Sequence, residues 1–189
     1  MRLVAVHATA AFLTVGMFAA APHMAAPRAA EVPPGLLTGW MAEFSASDTG
    51  GRVLDVRFVD AAGAERGLGA FHGRVVVLNF FATWCAPCRD EMPSLDRIAE
   101  RLAGDVAVVG IATDPEGPEL YLPFLAELDI DAIAVLGDPR LVAYKALEVP
   151  GLPATLVLDR QGREVGRLGG PAEWDSPEAE ALLRHLIGG

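Results

Sequence analysis

Apolar residues along this chain gather into a few unbroken runs, and these runs alternate with amphipathic stretches. "RVVVLNFF" (residues 74–81) and "DVAVVGIATD" (105–114) are continuous apolar segments with the length and β-branched content of strands covered on both faces. Between them Leu95, Ile98, Ala99 and Leu102 recur at helical spacing, and Gly104 stands where that helix should stop. Pro93, inside the helix, removes one backbone bond and should kink it. "PELYLPFLAELDI" reads as a second helix despite Pro123, and "IDAIAVLGD" as a short strand. Asp138 followed by Pro139 places an N-cap before a proline at the first helical position, which predicts a helix through Leu147. "GLPATLVLDRQGREVGRLGG" gives a strand, a turn at Gln161-Gly162 and a returning strand, and Ser176-Pro177 opens a last helix to about Ile187. Upstream, "RVLDVRFVDAAGAERGL" predicts a hairpin around Ala62-Gly63, and "PGLLTGWMAEF" a short amphipathic helix. The elements add up to an α/β domain with a central mixed sheet.

Composition narrows this picture at both ends of the chain. With 189 residues and 52% apolar content, the sequence holds one domain with a real core plus an extension. The formal charge is -10 and no Lys/Arg cluster interrupts it, so a surface that tracks phosphates has nothing to build on and nucleic acid is excluded as a partner. Residues 3–21 are almost all Ala, Val, Leu, Phe and Met behind Arg2, and an Ala/Pro-rich stretch follows. That pattern is an export signal. Two readings stand, a cleaved signal peptide or an uncleaved membrane anchor; the run is nearly long enough to span but carries His7, Thr9 and Thr14. Ala19-Ala20-Ala21 offers a cleavage site, with Pro22 awkwardly placed after it, and no cysteine lies near enough for a lipid-modified N-terminus. The expected organisation is a signal peptide or anchor over 1–30, an extension with a short helix over 31–50, and the α/β domain over 51–189. The mature protein is expected in the periplasm, meeting the membrane only through the N-terminal segment.

Export bears on the chain's two cysteines, Cys85 and Cys88, because disulfides persist outside the cytoplasm. A structural staple closing a loop of about four residues would remove little unfolded-state entropy. A structural zinc site needs four ligands, and there is no second cysteine pair; of the four histidines, His7 and His23 fall in the presumed signal segment. A redox dithiol fits the surroundings better, since the pair stands at a strand-to-helix junction. A thiolate at a helix N-terminus meets unpaired backbone N–H groups and the positive end of the helix dipole. Cys85, at the tip, is the expected nucleophile, and Cys88, one turn on and less exposed, the residue that resolves the mixed disulfide.

The blocks "NFFATWCAPCRDEMPSL", "GIATD" and "VPGLPATLVLDRQGREVGRLGGPAEWDSPEA" resemble the TlpA/ResA-type thiol-disulfide oxidoreductases, a branch of the thioredoxin superfamily. The resemblance runs from about Val53 to the C-terminus. It implies a thioredoxin-like fold, with the upstream hairpin as an N-terminal extension and an inserted αβ element. It also implies that Pro153 is cis and packs beside the dithiol, and that the backbone of Leu152 pairs with a partner peptide. Pro87 lies between the cysteines, and Trp84 has a shielding role over the thiols. Glu91 matches a carboxylate held near the cysteines, where it could take the proton of the resolving thiol; the alternative is a glutamate on the helix surface. Asn79 stands where thioredoxin has a buried aspartate, so that proton route is absent and a buried hydrogen-bonding group is expected instead. Phe81 keeps the apolar wall where Trp is common. Arg89 is expected to face solvent, and His72 and His185 to lie on surfaces or loops.

Ala86 and Pro87 separate the cysteines, with no histidine to hold a thiolate as in the strong oxidant DsbA, which argues for a reductant. No cofactor is expected beyond the Cys85–Cys88 disulfide itself, and no metal. In the family such proteins are kept reduced by an integral-membrane thiol reductant and pass electrons to disulfides of exported proteins, either apocytochrome c or copper-delivery and oxidase proteins. "GLPAT" replaces the Gly-Ala-Pro-Glu pattern of the cytochrome c branch, which favours copper or oxidase maturation. Two alternatives remain: a copper(I) carrier using both thiolates, for which no nearby Met or His cluster speaks, and an exported protein disulfide oxidant.

Overall fold

The computed structural model describes residues 29–47 and 51–188; the expected signal peptide or anchor lies almost wholly outside them. Among the described residues, no helix is long and apolar enough to cross a membrane. The chain first makes β1 (Ser45–Ala46), then a hairpin of β2 (Arg57–Val59) and β3 (Glu65–Gly67). The unit β4 (Val75–Phe81), α1 (Ala86–Arg101) and β5 (Val106–Ala112) follows, with α2 (Pro118–Glu127), β6 (Ala134–Gly137) and α3 (Val142–Ala146) after it. The second hairpin, β7 (Ala154–Leu158) and β8 (Glu164–Gly169), leads into α4 (Pro177–Gly188). The strands form one sheet in the order β1-β8-β7-β4-β5-β6-β2-β3. β4, β5 and β6 run parallel, and β7 is antiparallel to β4. This is the expected thioredoxin-like α/β fold, in which α2, β6 and α3 connect the β4–α1–β5 unit to the second hairpin.

Alternation along β4 divides the core. Val75, Val77 and Phe81 join α1, α2 and α4 on one face, while Val76, Leu78 and Phe80 meet α3 and the first hairpin on the other. Asn79 shares the parity of Val77 and Phe81, so the sheet aims its amide into the α1 layer. Gly166 in β8 is required by close approach: a Cβ there would stand 2.5 Å from the Ser45 carbonyl oxygen of β1.

Two predicted helices come out differently. "PGLLTGWMAEF" forms two 3-10 turns, Pro34–Leu36 and Gly39–Met41, because Thr38 is extended and Gly39 takes a φ of +52°. The helix expected from Asp138-Pro139 starts only at Val142, since Leu141 adopts a left-handed conformation (φ +55°). Asp138 still caps it, accepting from the N–H groups of Val142 at 2.8 Å and Tyr144 at 2.7 Å. α1, in contrast, runs unbroken through Pro93.

Candidate active site

β4 delivers the chain to the carboxyl edge of the parallel strands, where ligands of open α/β sheets gather. There Cys85 is the N-cap of α1 and forms a disulfide with Cys88, with Cα atoms 5.3 Å apart. The Cys85 N–H donates to the Ala82 carbonyl and its own carbonyl accepts from the Arg89 N–H, each at 3.1 Å, so backbone bonds hold the turn on both sides. Both sulfurs belong to buried residues, Cys85 at 5% and Cys88 at 1% exposure, so Cys85 is less open than its position at the helix tip suggests. Ala86 and Pro87 are exposed, and Trp84 is 74% exposed, with most of its surface turned outward.

Antiparallel pairing of Phe80 with Ala154 sets the start of β7 beside the end of β4. The Leu152–Pro153 peptide there is cis, Pro153 is buried, and its carbonyl accepts from the Gly170 N–H at 2.9 Å. Leu152 is partly buried and packs against both core clusters. Register thus brings the segment of Leu152 and Pro153 to the same edge of the sheet as the dithiol.

Glu91 is not on the helix surface: it is 2% exposed. Its Oε1 accepts from Trp174 Nε1–H at 2.6 Å and its Oε2 from Asn79 Nδ2 at 3.3 Å. Burial raises its pKa to about 7, against the opposing pull of hydrogen bonds from Trp174, Asn79 and the Ala172 backbone, and the charge of Glu173 raises it further. Such a carboxyl exchanges its proton near neutral pH. Asn79 is the buried hydrogen-bonding group expected; its Nδ2 also donates to Thr155 Oγ1 at 3.0 Å, while its Oδ1 has no partner. The Arg89 side chain is paired with Glu127 of α2 at 3.0 Å and stacked over the Phe124 ring, which in turn stacks on Phe81. His72 and His185 are exposed, and His185 hydrogen-bonds the Glu31 carbonyl.

Trp174, Ser94, Thr155 and Asp114 were not singled out from the sequence. Asp114 ends the apolar run of β5, a fully buried carboxylate at the strand's carboxyl end. It accepts from the Thr83 N–H through both oxygens (3.2 and 3.1 Å) and from Thr83 Oγ1 at 2.7 Å. It therefore anchors the turn that carries Trp84 and Cys85. Asp114→Ala is expected to destabilise the protein by about 2 kcal/mol, because charge-assisted bonds to the turn are lost. Urea unfolding of the variant checks it.

Fold and site together define a thioredoxin-like protein with an intramolecular CxxC disulfide. The chain belongs to the redoxin family, whose profile matches residues 48–183. It is 31% identical over 127 residues to the thiol-disulfide oxidoreductase ResA of Geobacillus kaustophilus, covering 67% of this chain and 60% of that one. It is 38% identical over 98 residues to the thiol:disulfide interchange protein DsbE homolog of Paracoccus denitrificans, covering 51% of each. The chain thus spans about half to two thirds of the length of these two relatives. A crystal structure described as the thiol:disulfide interchange protein DsbE of Chlorobium tepidum superimposes with a TM-score of 0.67 at 26% identity, covering 75% of this chain and 99% of that one.

Proposed function

We propose that this protein is an exported thiol-disulfide oxidoreductase that reduces disulfides in particular exported proteins. The observation that carries this reading is the Cys85–Cys88 disulfide at the N-terminus of α1. Relatives named as thiol-disulfide oxidoreductase and interchange proteins support it, and the apolar N-terminal run supports export.

In the reduced protein, the Cys85 thiolate attacks one sulfur of the partner disulfide. A new S–S bond joins Cys85 to the partner, the partner's bond breaks, and its second sulfur leaves as a thiolate that takes a proton from water. Cys88 then loses its proton to a base and attacks the Cys85 sulfur, which closes the disulfide and frees the partner as a dithiol. Glu91 is the base in this reading, since it is buried in the same helix and titrates near neutrality. Leu152 offers its backbone to the partner peptide beside cis-Pro153, and Trp84 and Pro87 supply exposed apolar surface around the dithiol. An integral-membrane thiol reductant restores Cys85 and Cys88.

Copper-delivery and oxidase proteins are the favoured substrates, with apocytochrome c second, on the strength of "GLPAT" at 151–155. The test is a trapping experiment: the Cys88→Ser protein, mixed with an oxidised copper-delivery protein or an oxidised haem-site peptide, should form an adduct that dithiothreitol releases. No adduct with either substrate would remove the reading.

A further inference from the structure

The hydrogen bonds around Glu91 are asymmetric, and the asymmetry comes from the loop between β8 and α4. Trp174, 0% exposed, donates Nε1–H to Glu91 Oε1 at 2.6 Å. Its backbone N–H donates to Ser94 Oγ at 3.0 Å, and that hydroxyl donates to the Glu91 carbonyl oxygen at 2.8 Å. The indole is therefore tied through Ser94 to the turn of α1 that carries the carboxylate. The second carboxylate oxygen faces the Asn79 amide, whose Oδ1 lacks a partner while Nδ2 serves both Glu91 and Thr155.

The Ala172 backbone N–H also donates to the carboxyl, and the two side-chain neighbours differ in what they can do. An indole N–H only donates, whereas an amide holds a donor and an acceptor, and a threonine hydroxyl can play either part. A proton on Oε1 would confront the Trp174 N–H and forfeit that bond. A proton on Oε2 meets a group that can turn its oxygen to receive it: a half-rotation of the Asn79 amide lets Oδ1 accept from Oε2–H and from the Thr155 hydroxyl.

We propose that Trp174 is a positioning residue for disulfide exchange: it locks Oε1 of Glu91 as a permanent acceptor, so that the proton lost by Cys88 is carried on Oε2 and met by Asn79. The proton balance is simple, since the Cys88 S–H bond breaks and the Glu91 Oε2–H bond forms. This rests on the reading of Glu91 as the proton acceptor. The charge that acts on the carboxyl is that of Glu173, beside Trp174, and the dithiol lies one turn back along α1; the groups from β4 and β7, Asn79 and Thr155, are uncharged.

Proton-nitrogen NMR of the full-length protein with labelled tryptophan tests the lock directly. The Trp174 indole resonance should move downfield as pH rises through a midpoint near 7 and stay still in Glu91→Gln, while those of Trp40 and Trp84 do not follow. An indole resonance that ignores pH, or that moves equally in Glu91→Gln, overturns the proposal, and neither result requires a Trp174 variant to fold. Trp174→Phe removes the donor to the ionised form, so the Glu91 midpoint and the pH profile of exchange should both rise by about one unit. A variant slowed by the same factor at every pH, with the midpoint unmoved, would make Trp174 merely structural and also overturns it. Disulfide reduction by the wild-type protein is assayed alongside. If the indole titrates with Glu91 but no disulfide is reduced, the proposed function fails and the placement of the proton on Oε2 does not.

Discussion

Cys85→Ser is expected to reduce disulfide exchange to the uncatalysed background, whereas Cys88→Ser stops the reaction one step later, with the partner bound. The asymmetry follows from where the two residues stand. Cys85 is the N-cap, flanked by exposed Trp84, Ala86 and Pro87, and at 5% exposure it is the more open of two buried cysteines. Cys88 is 1% exposed and packs into the core with Met92 and Leu95, where an incoming protein disulfide cannot reach it. The helix N-terminus stabilises the thiolate at Cys85. Mass spectrometry under non-reducing conditions should therefore find a stoichiometric adduct with Cys88→Ser and none with Cys85→Ser. The reverse pattern would exchange the two roles while leaving the dithiol intact.

Replacing Glu91 by glutamine is expected to stabilise the protein at alkaline pH and to flatten its pH dependence. A carboxyl raised from 4.5 to about 7 by burial keeps its proton in the folded chain over a range where the unfolded chain has lost it. Its contribution is fully present below pH 4.5 and is lost as pH rises through about 7. The shift corresponds to a loss on the order of 3 kcal/mol across that window in the wild-type protein. Glutamine has no such titration and keeps an oxygen for the Trp174 indole. Urea midpoints between pH 5 and 8 should converge at the acid end and separate towards the alkaline end, with the glutamine variant the more stable. Parallel curves would mean that Glu91 has an ordinary carboxyl pKa and is too weak a base to be matched to the Cys88 thiol.

The elements that carry the site are legible from residue pattern because their physics is local. The apolar runs of β4 and β5 are fully buried, as their lack of alternation implies, and Leu95, Ile98 and Ala99 lie on the buried face of α1, with buried Leu102 at its C-cap. That same stripe, continued backwards at helical spacing, passes through Glu91 and Cys88, so a carboxylate on the core face of α1 was visible as a polar break in an apolar pattern. Its partners were not visible. Trp174 and Thr155 reach Glu91 and Asn79 across 83 and 76 residues of sequence, contacts that only the closed sheet creates. Backbone conformation explains the two misplaced helices: Gly39 and Leu141 take positive φ values, and a non-glycine residue such as Leu141 gives no sequence sign of it. Asp138 was recognised as a cap, but the left-handed residue delays the helix it serves.

The most direct test of this account is the equilibrium reduction potential of the Cys85–Cys88 couple, measured at neutral pH against a glutathione or dithiothreitol series. With Ala86 and Pro87 between the cysteines and no histidine to stabilise the thiolate, the account predicts a value near that of thioredoxin, roughly -270 mV, as a donor of electrons in an oxidising compartment requires. A value near roughly -120 mV, that of DsbA, would contradict it and make the protein a source of disulfides.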